Sequence, residues 1–173
     1  MLMAVKKPAT AKPATRSSRR PRGAEIGAST REALVREAMK LFAERAIGAV
    51  SLREIVQKAG QGNQSAVRYH FNDKQGLVIA VAEFVSAIFE PHFAAVISEI
   101  SQREQDGSLS DEHLVAGLVM PLIQVFHADD TGRDAIRFVA RLLSDGGDLG
   151  QSLVLTRCAS FLNQIESRLA ACH

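Results

Sequence analysis

A chain of 173 residues with 46% apolar side chains has material for one or two small domains and a substantial core. Its net charge of +2 conceals a gradient: residues 1–28 carry seven Lys or Arg against Glu25, residues 29–74 eight against five acids, and residues 75–173 six against thirteen. Only the N-terminal portion therefore suits a polyanion, and the absence of an apolar run after the first lysines argues against export.

Residues 1–28 mix Pro, Ala, Ser, Thr and basic residues without periodicity, which predicts a disordered basic arm. Its Arg19–Gly23 segment, RRPRG, fits either a solvated leader or an arm lying in a narrow A·T-rich minor groove. A first helix is predicted over Ser29–Arg45, opened by a capping box of Ser29 and Glu32 and burying Leu34, Ala38, Leu41 and Phe42. Ile47 and Val50 are then placed to seal a small core.

Residues 51–74 read SLREIVQKAGQGNQSAVRYHFNDK. Leu52, Ile55, Val56 and Ala59 form one apolar stripe, and Ser51 with Glu54 forms a second capping box. Gly60 and Gly62 mark a turn. A second short helix follows from Asn63 to Phe71, with Val67 and Phe71 for burial and Gln64, Ser65, Arg68 and Tyr69 outward. Donors, acceptors and an aromatic edge on an outer face are what base edges and phosphates require of a recognition helix. Asn72, with Gln75 three residues on, predicts the start of a further helix, and Lys74 in its first turn adds charge where unpaired N–H groups already favour a phosphate.

This order of helices, the Tyr69-His70-Phe71 block, Lys74 and a long apolar helix after them resembles the TetR-type bacterial transcriptional regulators from about Ser29 to Val85. Ser51, Arg53, Ile55, Ala59, Gly60, His70, Phe71, Lys74 and Leu77 fall where the family pattern expects them. Two departures stand out: one extra residue between Gly60 and the Tyr-His-Phe block, and Arg68 where the family commonly has a phosphate-contacting tyrosine. The predicted DNA-facing set is Ser51, Arg53, Asn63, Gln64, Ser65, Arg68, Tyr69, His70 and Lys74. Gln64, Ser65 and Tyr69 are expected nearest the bases, and His70 and Lys74 on the backbone.

Beyond Lys74, Leu77, Val81, Phe84, Val85 and Ile88 predict a connecting helix that Pro91 breaks or kinks. Helices are further predicted over His92–Gln105, His113–His127, Arg133–Leu143 and Leu149–Ala170. The last carries Leu153, Val154, Leu162, Ile165 and Leu169. No strand pattern occurs, so the fold class is all-α: a three-helix helix-turn-helix domain over residues 29–75, then a helical regulatory and dimerisation domain over residues 76–173. Family members usually end in two long helices that pair with a second subunit. Only one helix is predicted after Leu143, so a shortened C-terminal half is expected.

The resemblance implies a repressor that binds a double-stranded operator as a homodimer and is released by a small hydrophobic or amphipathic effector. Candidate effector contacts are Phe89, His92 and Phe93, then Met120, Gln124, Phe126 and His127, and finally Phe138, each of which also fits an ordinary core or surface role. Cys158 and Cys172, fourteen apart, have no ligand-spaced partners, so neither zinc, other metal nor disulfide is expected. The longest uncharged stretch, Leu114–Ala128, is too short to span a bilayer. No nucleophile elbow, P-loop, dinucleotide fingerprint or zinc-protease motif is present, so neither an enzyme nor a cofactor is expected. A cytoplasmic, nucleoid-associated protein is the corresponding location. The alternative is an architectural DNA-binding protein with little sequence preference.

Overall fold

Three side-chain caps organise the chain. Ser51 Oγ accepts from Glu54 N at 3.2 Å, Asp73 Oδ1 from Gly76 N at 2.8 Å, and Asp129 Oδ1 from Gly132 N at 2.7 Å, each satisfying a donor that the first turn leaves open. In the computed structural model, which describes residues 23–171, these are the starts of three of seven α-helices. The seven are α1 (Gly23–Glu44), α2 (Leu52–Lys58), α3 (Ser65–Phe71), α4 (Lys74–Gln105), α5 (Asp111–Ala128), α6 (Asp130–Asp145) and α7 (Gly147–Ala171), with one 3-10 turn at Ile47–Ala49. The described residues contain no strand, in agreement with the all-α expectation.

Several local predictions need correction. Helix α1 begins at Gly23, six residues before Ser29, so Ser29 is interior and Glu32 accepts from Arg36 at 2.8 and 3.1 Å instead of capping. The backbone bonds of the added turns serve the donors that a cap at Ser29 would have served. The arm predicted over residues 1–28 otherwise lies outside the described residues, as does Arg19–Arg22. Glu54 does not complete its box; its carboxylate pairs with Arg45 while Ser51 caps alone. Asp73 replaces Asn72 as the α4 cap, because Asn72 turns the chain out of α3 at φ 65°, a conformation that asparagine tolerates better than most residues.

Pro91 does not break its helix. Helix α4 runs unbroken for 32 residues, and Ala87, whose carbonyl would have paired with the missing N–H, is exposed, so water can serve it. The predicted break between two helices becomes one long spine. Its length and composition would allow it to cross a membrane, yet Leu77, Val81, Val85, Phe89, Val96 and Ile100 are buried against the other helices. Core packing accounts for its apolarity. On α7, Ile165 is buried as expected, but Leu162 is exposed and Phe161 takes the inward position.

The main core is continuous across the expected boundary near residue 75. Leu34, Ala38 and Phe42 of α1, Ile55, Val67 and Phe71 of the small helices, Val81 of α4 and Phe138 of α6 belong to one buried cluster. The Phe42 and Phe138 rings lie 6.2 Å apart, joining α1 to α6. A second cluster of Val96, Ile100, Leu114, Phe161 and Ile165 closes the far end between α4, α5 and α7. The three-helix unit is therefore seated on the C-terminal helices, which adds burial that so small a bundle lacks alone.

Candidate nucleic-acid interface and an interior cavity

Helix α3 is held by its underside. Val67 is fully buried and Phe71 is 6% exposed, whereas Tyr69 is 84% exposed. Burying Ile55, Val67 and Phe71 contributes roughly 1.5–3 kcal/mol apiece, which fixes the rotation of α3 about its axis. Gln64, Ser65 and Arg68 consequently share the exposed side with Tyr69. Asn63 shapes the approach to the helix: its Oδ1 accepts from Ser65 N at 2.9 Å, so it is committed to the turn.

Gly60, at φ 69°, allows the sharp exit from α2 that the extra turn residue demands. Arg53, Asn63 and Gln64 meet at a polar groove of about 420 Å³ between α2 and the start of α3. Gln57 and Gln61, absent from the sequence-based set, line it too. Helical spacing from Arg53 would have suggested Gln57; Gln61 depended on the turn. Among the described residues neither Arg53 nor Arg68 has an ion-pair partner, which leaves both guanidinium groups available to phosphate or guanine.

Three further members of the set are engaged elsewhere. The His70 ring stands edge-on to Tyr69 at 4.8 Å, half-buried, with Cε1 beside Gly27 of α1. Lys74 Nζ donates to Val50 O at 2.6 Å and Gly48 O at 3.1 Å, tying the start of α4 to the segment that leads into α2. Burial pulls its ammonium below the ordinary lysine value. Lys74 is thus a structural clamp, with one of its three N–H groups left for another acceptor. Ser51 likewise spends its hydroxyl oxygen on the α2 cap.

The arrangement is a short polar helix exposed beside a cationic groove and pinned by an apolar underside. Residues 34–81 match the family model described as bacterial regulatory proteins, tetR family. This part of the chain is a TetR-type helix-turn-helix DNA-binding domain. The protein is a DNA-binding transcriptional regulator. A comparison with curated proteins found no match.

Beyond the TetR-type domain, α4, α6 and α7, with Leu122 of α5, line a solvent-open cavity of about 840 Å³. Of the eight candidate effector contacts, Phe89, Phe93 and Phe138 line it. His92, Met120, Gln124, Phe126 and His127 do not. His92 Nδ1 meets Gln124 Oε1 at 3.0 Å as a link between α4 and α5, and Met120 and Phe126 are exposed on α5. Met120, Gln124, Phe126 and His127 lie on a side of α5 that faces away from the cavity, and His92 of α4 is drawn to Gln124 instead.

Missing from the sequence-based set were Ser86 and Glu90 on α4, and Arg157, Cys158, Phe161 and Gln164 on α7. Phe93 stacks on Phe161 at 4.3 Å and on Phe89 at 5.6 Å, forming an aromatic wall. Burial pushes the Cys158 thiol above its usual range. The one available signal was the recurrence of residues 82, 86, 89 and 93 along α4 and 154, 157, 161 and 164 along α7, since each series follows one helix face.

Proposed function

We propose that the protein is a repressor that occludes a promoter by binding a double-stranded operator as a homodimer, and that a small hydrophobic or amphipathic effector in the 840 Å³ cavity releases it. The reading is carried by α3: its apolar residues are buried and its polar ones exposed, so Gln64, Ser65, Arg68 and Tyr69 can enter a major groove together. On either side of that helix, Ser51 caps α2 and Lys74 ties the start of α4 to the segment leading into α2, and Arg53 and Arg68 supply charge for phosphate.

A second copy is supported by an exposed apolar stripe on α5, where Val115, Val119, Leu122 and Phe126 recur at helical spacing and are each 39–55% exposed. The cavity lies within the roughly 300–1,000 Å³ range of small-molecule sites. We place the protein in the cytoplasm, on chromosomal DNA, and assign it no catalytic step.

Selection of bound duplexes from a random library, followed by light scattering on the complex, tests this reading. A recurring two-fold-symmetric site bound by two subunits is expected, with affinity about 10³ or more above that for random duplex at fixed salt. A ratio near one would favour the architectural role instead.

A further inference from the structure

The cavity is mostly apolar but contains one cationic side chain, Arg157, whose Nη2 donates to Glu83 Oε1 at 3.2 Å. Among the described residues this is the only partner of its guanidinium, so four of its five N–H groups have none. Glu83 is itself shared, since Arg31 Nη2 of α1 stands 3.9 Å from its other oxygen. Two cations and one anion leave that solvent-exposed cluster with a surplus positive charge, which Arg157 alone of the three carries to the rim of the cavity. One turn further along α7, Phe161 begins the aromatic wall that continues through Phe93 and Phe89.

We propose that the cavity takes an apolar molecule ending in a carboxylate, its head held by Arg157 and its body laid against Phe161 and Phe93. The assignment rests on the effector-pocket reading above and gives that effector a chemical class. A carboxylate matches the planar donor edge of a guanidinium, and its arrival balances the cluster at two charges of each sign. Glu90, the one acid lining the cavity, is exposed and lies seven residues from Glu83 along α4. That is about 10 Å of helix rise, so it stands clear of the head.

Calorimetric titration of the full chain with decanoate, decanol and decyltrimethylammonium, at fixed salt and below micelle formation, tests the proposal. Decanoate is expected to bind tightest. Arg157→Gln should weaken decanoate by about tenfold or more, as loss of a charged hydrogen-bonding partner does, and leave decanol within about twofold. Arg157→Lys, which retains the charge without the planar edge, should fall between. If Arg157→Gln does not fold, the Lys variant and the decanoate-to-decanol ratio of the parent protein decide. Tighter binding of decyltrimethylammonium, or decanoate binding indifferent to Arg157, overturns the proposal. Equal binding of decanoate and decanol overturns it while leaving the pocket reading intact. Failure of all three to bind overturns both.

Discussion

Replacing Lys74 by Met separates a clamp from a simple phosphate contact, because methionine keeps an apolar stem and removes both charge and donors. The ammonium serves Val50 O at 2.6 Å and Gly48 O at 3.1 Å. A hydrogen bond from a charged donor contributes about 1.5–3 kcal/mol when desolvated. Lys74 is only partly buried, water can reach Gly48, and the desolvation that lowers its pKa already offsets part of the gain. A net loss of about 1–2 kcal/mol is therefore expected for Lys74→Met, at roughly 2–4 °C of melting temperature per kcal/mol for a chain of this size. Denaturant unfolding followed by circular dichroism measures it. In parallel, salt-titrated anisotropy should show weaker binding to all duplexes about equally, with a salt slope lower by about 1 because one counterion fewer is released. A variant that unfolds with the parent protein would refute the clamp, and an unchanged salt slope would remove Lys74 from the phosphate contacts.

Tyr69→Ala should leave stability within about 0.5 kcal/mol, because the side chain is 84% exposed; it should cost about 1–3 kcal/mol on a selected duplex and less on random DNA. Equal losses on the two duplexes would deny Tyr69 a base-reading role. Gly76→Ala pits helix propensity, which favours Ala by about 1 kcal/mol, against a Cβ that would lie 1.9 Å from the Phe71 carbonyl oxygen. The clash with backbone should win, giving a net loss of about 1–3 kcal/mol in denaturant unfolding; a stabilised variant would show that the α3–α4 joint yields easily. In a Cys172→Ser background, Cys158 should react with iodoacetamide more slowly at neutral pH than free cysteine, with its rate profile displaced to higher pH, since burial disfavours the thiolate. A rate matching that of free cysteine would contradict this burial.

The sequence alone determined what depends on residues a turn or two apart. The apolar spacing of Ile55, Val56, Val67 and Phe71 and the cap at Ser51 specified two short helices and the outward face of the second, and the structure places those four residues in the core. Where two nearby candidates competed, local reading faltered: Asn72 and Asp73 are both good caps, and Asn72 is taken up in the turn out of α3 at φ 65°, which leaves Asp73 in the capping position. Ser29 misled for a related reason, since a box motif is equally at home inside a helix that begins earlier.

The tertiary structure decided which long helices face one another. Phe89, Phe93 and Phe138 became cavity residues and Phe126 a surface residue, though all four read alike as aromatic members of helical stripes. Arg157 and Glu83 are 74 positions apart, and Lys74 and Val50 are 24 apart. Helical periodicity reports which side of one helix is apolar. It carries no information about the partner on the other side, because that choice is made by the mutual fit of surfaces from distant parts of the chain.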